Sequence, residues 1–354
     1  MSKIVLIIPS LRSGGAERVM SLLANTWADN SKFEIYLIIL TDQKIYYQLS
    51  ERVIVLIPRF GYRNNLISKF FYTLRLMGFI RKSLSKIQPL SVLSFCERYN
   101  NLVLLATLGS KFGVFVSDRG NPYRNIGLFN DRLRRVLYGT AKGIISQTNE
   151  SADFIRKFTS NQNVIVIPNP LRRLKDVEVN KSNIVLYVGR FEQNKNQIDL
   201  IHAFASSENQ DWKLRFVGEG EKRDFLLQEA KKLGIERQVQ FFPFTSDIDR
   251  HFSEARIFAF TSLEEGFPNV LIEALGHGLA CISYDCPVGP ADIISQTNGL
   301  LIENGNKEEF GRQLKKMMAD EHYLSKLKPD RLAIRHRYYF EKITTDYLNF
   351  ITKS

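Results

Sequence analysis

The stretch Ser262-Leu-Glu-Glu265-Gly266-Phe267-Pro268-Asn269-Val-Leu-Ile-Glu273-Ala274 sets two carboxylates, Glu265 and Glu273, eight positions apart around the start of a predicted helix. Gly266 and Pro268 suit a loop turning into a helix, because the N–H that a proline lacks has no intrahelical partner at the first position. Glu273 then falls about two turns along. Backbone N–H groups at such an end, with the positive pole of the helix dipole, attract phosphate, while a nearby carboxylate accepts hydrogen bonds from vicinal hydroxyls. A sugar nucleotide offers both groups. Taken alone, the segment also reads as an amphipathic helix with a capped end and a solvated Glu273.

Three further segments follow the same logic. Ile184-Val-Leu-Tyr-Val-Gly189-Arg190-Phe191-Glu192-Gln-Asn-Lys195-Asn196 is a β-branched apolar strand that ends in Gly-Arg and runs into a polar loop. At the carboxyl end of a parallel strand Gly189 permits close backbone approach, and the two cations Arg190 and Lys195 can sit over a diphosphate. Leu214-Arg-Phe-Val-Gly218-Glu219-Gly220-Glu-Lys-Arg223 is again strand, turn and helix. It fails as a dinucleotide fingerprint because Arg223 holds the place of the third glycine. Gly218 is therefore either a plain turn or a contact to a nucleotide's base or ribose. Asp285-Cys286-Pro287-Val-Gly289-Pro290-Ala-Asp292-Ile-Ile294 and Asn298-Gly299-Leu-Leu301 close the series.

In this order the segments resemble the retaining, nucleotide-sugar-dependent glycosyltransferases of family 4. These carry a Glu-x7-Glu signature on two Rossmann-like domains, the GT-B fold. The match is densest from Asn183 to Leu301, with Asp292 where those enzymes usually have glutamate. The resemblance implies that Arg190 and Lys195 clamp the donor diphosphate, that Glu265 meets donor-sugar hydroxyls, and that Glu273 meets the ribose. It also implies that Gly189, Gly218 and the turn Gly266-Phe267-Pro268-Asn269 line the donor site. Near the N-terminus, Ile4-Val-Leu-Ile-Ile-Pro9 is a buried strand, followed by the Gly14-Gly15 loop and a helix. Lacking Lys-Ser/Thr it is a poor P-loop. Gly14 and Gly15 match instead the family's first loop, near donor phosphates and acceptor.

The activity so implied is retaining transfer of a hexose or N-acetylhexosamine from a UDP-sugar, preferred over a GDP-sugar. The acceptor is a growing polyprenyl-diphosphate-linked glycan of a bacterial surface polysaccharide, O-antigen or capsule. No metal or other cofactor is implied. Asp247-Ile-Asp249 imitates a metal-binding Asp-x-Asp but stands in a loop before a helix. The rival readings are a sugar-nucleotide epimerase of the same architecture and an inactive carbohydrate-binding relative.

Length and composition fit an enzyme of this kind. The 354 residues allow two domains with separate cores, and the hydrophobic fraction of 44% is globular. No apolar run of about 18 residues occurs, and the Ile4–Ile8 run lacks a secretory cleavage pattern. Cys96, Cys281 and Cys286 leave one thiol unpaired, which points to a reducing cytoplasm rather than a disulfide framework or a metal site. Apolar strands alternating with amphipathic stretches in both halves predict an α/β chain of two parallel-sheet domains. Expected boundaries are an acceptor-binding domain over 1–170, a linker over 171–183, and a nucleotide-sugar-binding domain over 184–335. By resemblance the two face a central cleft, and a C-terminal helix in 336–354 crosses back to the first domain.

The 49 lysines and arginines against 37 acidic residues give a net charge of +12, which asks for an anionic partner. No nucleic-acid-binding fingerprint accompanies it. Between Asn65 and Ile87, apolar residues at 67, 70, 71, 74, 77, 84 and 87 predict a helical stripe. Arg75, Lys82 and Lys86 fall within about 40° of one another beside it. This basic face is expected to meet an anionic inner-membrane surface or the acceptor's diphosphate, placing the protein in the cytoplasm, peripheral on that membrane. A second basic cluster surrounds Val116-Ser117-Asp118-Arg119-Gly120-Asn121-Pro122. Relatives carry an Arg/His loop there facing the reaction centre, so Arg119 is a candidate for stabilising phosphate charge or orienting the acceptor.

Overall fold

A computed structural model describes residues 1–12, 14–30, 32–41, 44–61 and 65–353. The chain divides into two compact units, Met1–Pro170 with Phe340–Ser354, and Leu171–Tyr339. Each is built on one all-parallel sheet. In the first unit β1 (Ser2–Ile8), β2 (Phe33–Ile39), β3 (Val53–Leu56), β4 (Ser91–Phe95), β5 (Val114–Ser117), β6 (Gly143–Ser146) and β7 (Val164–Val166) lie in the order β3-β2-β1-β4-β5-β6-β7. In the second, β8 (Ile184–Val188), β9 (Lys213–Val217), β10 (Val239–Phe242), β11 (Ile257–Phe260), β12 (Ala280–Asp285) and β13 (Gly299–Glu303) lie in the order β10-β9-β8-β11-β12-β13. Two Rossmann-like α/β halves, as the sequence pattern predicts, are therefore present.

Continuous apolar runs are what such strands need, since helices cover both faces of a parallel sheet. In β1 the residues Ile4 to Ile8 are all fully buried. Their alternation sends Ile4, Leu6 and Ile8 into one core with Val19, Leu23 and Trp27 of the Gly15–Asp29 helix. Val5 and Ile7 enter the opposite core with Ile80 and Leu84 of the Leu66–Ile87 helix. The expected return of the C-terminus to the first unit is also seen. In the Phe340–Thr352 helix, Ile343, Tyr347 and Ile351 join the core of Trp27. The Trp27 indole Nε1 donates to the Thr344 carbonyl at 3.1 Å, and Ser91 Oγ donates to the Ile351 carbonyl.

The Leu66–Ile87 helix corrects the predicted stripe. Its core side is Leu76, Ile80, Leu84 and Ile87, whereas Ile67, Phe70, Phe71 and Leu74 are exposed. At about 100° per residue these two sets point roughly 135° apart. The helix therefore has two apolar faces, and counting apolar residues merges one that packs on the sheet with one that meets solvent. Arg75, Lys82 and Lys86 are all exposed, on the solvent side beside the second face. Among the described residues no helix is long and apolar enough to cross a membrane.

Candidate functional site

In a parallel sheet the turns at the carboxyl ends of the strands gather on one edge, where α/β proteins bind ligands. Neighbouring β8 and β9 each end there in a glycine turn. A Cβ on Gly218 would lie 2.0 Å from the Gly189 carbonyl oxygen, and one on Gly220 would lie 2.4 Å from that of Phe191. Close packing of the two turns is thus a sufficient reason for both glycines. Beyond Gly189, Gln193–Lys195 form one turn of 3-10 helix. The loop after β11 is stitched to it: Thr261 Oγ1 donates to the Lys195 carbonyl at 3.1 Å, and Leu263 N to the Asn194 carbonyl at 2.9 Å.

This stitching brings together residues 70 positions apart: Lys195 Nζ donates to Glu265 Oε1 at 2.5 Å, with both side chains largely buried. Arg190 differs, its side chain 75% exposed and paired with Glu192 at 2.8 Å. After Gly266 the Phe267 side chain is buried edge-on to Tyr338, and Pro268 immediately precedes the helix Asn269–Gly276. Gly289, at φ +106°, is pressed against this turn, since a Cβ there would lie 2.5 Å from Pro268 Cδ.

Because the helix begins at Asn269, Glu273 is its fifth residue, just over one turn in rather than two. Its carboxylate is 9% exposed and accepts from Arg172 Nε at 3.1 Å. The same guanidinium donates through Nη1 and Nη2 to both oxygens of Asp249, at 2.9 and 2.8 Å. Asp249 in turn accepts from His277 Nε2 at 2.8 Å, and the His277 ring stacks on Phe252. Burial lowers the His277 pKa against the pull of Asp249, so the neutral ring donates this bond. Burial acts to raise Asp249, yet the bonds from Arg172 and His277 hold it below the ordinary carboxylate range. Sequence reasoning missed Arg172, which carries no signal within a polar linker, and took Asp249 only as half of a metal-site imitation. A cavity of about 430 Å³ in this unit is lined by Lys181, His277 and Arg331, not by Lys195 or Glu265.

In the first unit the predicted residues again sit past the carboxyl ends of strands. Gly14 precedes the Gly15–Asp29 helix, its N–H and carbonyl both engaged by the Tyr47 hydroxyl, at 3.1 and 2.9 Å. Arg119 follows β5. Its Nη1 donates to the Tyr347 hydroxyl at 2.9 Å and its Nη2 to Asn169 Oδ1 at 2.6 Å, while its guanidinium lies 4.3 Å over the Phe95 ring. Next to it Asp118 is buried and accepts bonds from Arg134, the Tyr138 hydroxyl and Asn100. Neither Tyr347 nor Asn169 was singled out from sequence, because their role needs the C-terminal helix and the end of β7 to be placed.

The family described as glycosyl transferases group 1 matches residues 172–332. Over 338 residues, 91% of each chain, the protein is 30% identical to a Campylobacter jejuni transferase. That relative is named N-acetylgalactosamine-N,N'-diacetylbacillosaminyl-diphospho-undecaprenol 4-alpha-N-acetylgalactosaminyltransferase. The chain is a group 1 glycosyltransferase. It is also 29% identical to the amylovoran biosynthesis glycosyltransferase AmsD of Erwinia amylovora, over 91% of each chain. Among solved structures, the lipopolysaccharide outer core galactosyltransferase WaaB aligns over 99% of both chains with a TM-score of 0.79 at 21% identity. Anabaena HepE in complex with UDP aligns over 99% of both, with a TM-score of 0.76 at 16% identity. These likenesses speak for the fold, that of GT-B glycosyltransferases. In this glycosyltransferase the matched region holds Arg172, Arg190, Lys195 and the whole Glu265–Glu273 signature.

Proposed function

We propose that this glycosyltransferase moves a hexose or N-acetylhexosamine, with retention, from a UDP-sugar to a polyprenyl-diphosphate-linked glycan of a bacterial surface polysaccharide. The observation that carries the reading is the 2.5 Å pair of Lys195 and Glu265 at the edge of the second sheet. A cation for phosphate and an acceptor for sugar hydroxyls stand side by side, which is the pairing a nucleotide-sugar presents. Support for the acceptor and for UDP comes from the relatives' names, a diphospho-undecaprenol-linked sugar in one and bound UDP in another.

The anomeric C–O bond breaks with its electron pair going to the leaving diphosphate. Lys195, Arg190 and the helix start at Asn269 stabilise that charge as it develops. The acceptor oxygen bonds to the same face of the sugar, and its proton passes to a phosphate oxygen of the leaving group. Glu265 and Glu273 orient donor-sugar and ribose hydroxyls, Glu273 by exchanging part of its bond with Arg172. Arg119, already fixed by Tyr347 and Asn169, orients the acceptor. The test is release of UDP from UDP-N-acetylgalactosamine in excess chelator. Release that requires an N-acetylhexosaminyl diphosphate on a polyprenyl chain is expected, at the rate seen without chelator. Acceptor-independent release of an isomerised sugar would favour an epimerase, and a rate abolished by chelator would contradict metal-free charge stabilisation.

The Leu66–Ile87 helix suits a cytoplasmic enzyme peripheral on the inner membrane. Exposed Ile67, Phe70, Phe71 and Leu74 can enter the interface while Arg75, Lys82 and Lys86 meet anionic headgroups. Each cation contributes about 1 kcal/mol near such a surface. Reversing all three to glutamate is expected to abolish co-sedimentation with anionic vesicles. Unaltered sedimentation would place the membrane contact elsewhere.

A further inference from the structure

Glu97 has no part in the machinery described so far, yet it stands between the ends of two central strands of the first sheet. β4 and β5 pair with Phe95 opposite Ser117. Cys96, just past β4, adopts φ +77°, a conformation that non-glycine residues rarely hold and that clusters at functional turns. The chain reverses there and makes Glu97 the first residue of the helix Glu97–Thr107. One carboxylate oxygen, Oε1, accepts the backbone N–H of Arg119 at 3.0 Å and that of Gly120 at 2.9 Å. Among the described residues no other residue donates to Oε2, and that oxygen is not among the sealed polar atoms. A sugar hydroxyl can donate to such an oxygen.

We propose that Glu97 is an acceptor-binding residue: Oε1 fixes the Arg119–Gly120 turn while Oε2 accepts a hydrogen bond from a hydroxyl of the acceptor sugar. The assignment rests on the proposed acceptor role of the first unit. Burial, followed by the charge of Asp118, raises the Glu97 carboxyl above its ordinary value, as is common for carboxylates held at a site rather than in solvent.

Glu97→Gln separates the two duties, because its carbonyl oxygen can still receive both N–H groups while its NH2 cannot accept a bond. With UDP-N-acetylgalactosamine and an N-acetylhexosaminyl diphosphate on a short polyprenyl chain, the acceptor KM of Glu97→Gln should rise about tenfold. Its melting temperature and its calorimetric UDP affinity should match the parent's. Glu97→Ala, which loses both duties, should melt lower as well. An acceptor KM of Glu97→Gln equal to the parent's overturns the proposal and leaves Glu97 a tether. A parent that binds UDP but transfers to no lipid-diphosphate sugar overturns it differently, by removing the acceptor reading beneath it.

Discussion

Replacing Lys195 with alanine is expected to lower kcat/KM by about 30- to 900-fold, equivalent to about 2–4 kcal/mol of transition-state stabilisation. The size follows from where the ammonium sits. Lys195 is 17% exposed and held by Glu265 at 2.5 Å, so its charge is neither screened by bulk water nor free to wander. A pre-oriented cation at a forming diphosphate acts on charge that appears only as the glycosidic bond breaks, so the loss falls on kcat as well as on binding. Arg190, 75% exposed, works in a higher dielectric, and its alanine variant is expected to lose less. Single-turnover rates with saturating donor are the direct measurement. A parental rate in Lys195→Ala would take the lysine out of the chemistry.

The second large effect is on folding. Asp118→Ala is expected to destabilise the first unit by about 3–5 kcal/mol, because it strands a charge in the core. Arg134 is 1% exposed and Asp118 3%. With the carboxylate gone, the guanidinium keeps among the described residues its bond to the Pro122 carbonyl, its stacking near Tyr138, Phe154 and Phe158, and the more distant charge of Glu97. The Tyr138 hydroxyl loses its acceptor at the same time. The pair Arg156–Asp153, with side chains 37% and 59% exposed, provides the contrast. Asp153→Ala should change stability by no more than about 1 kcal/mol. Urea unfolding of both variants checks the pair of values, and equal small losses would mean that the Arg134 pocket readily admits water.

Much of this architecture was legible before any coordinates. Unbroken apolar runs such as Ile4–Ile8 have no other comfortable home than a parallel sheet, and the glycine turns after Val188 and Val217 follow from that. Lys195 and Glu265 were both named from separate motifs, but their contact was not, since nothing local joins residues 70 apart until β8 and β11 pair. Side-chain direction was the weaker part. Phe267 stands in the expected ligand turn with its side chain turned into the core, which the sequence does not reveal. Glu273 does lie on the expected helix, but nearer its start than the sequence suggests, and its partner Arg172 comes from a stretch whose sequence shows only polarity. The Leu66–Ile87 helix misled for a related reason. Periodicity reports which residues share a face and is silent on what that face meets.

The discontinuity of the first unit carries a consequence for biosynthesis. Its core is completed by Ile343, Tyr347 and Ile351, residues that leave the ribosome only after the whole second unit has been made. Until then the first sheet has an uncovered apolar flank around Trp27, while Leu171–Tyr339 forms one uninterrupted stretch able to fold as it emerges. The N-terminal half is thus translated first and finished last, with that apolar flank open in the interval.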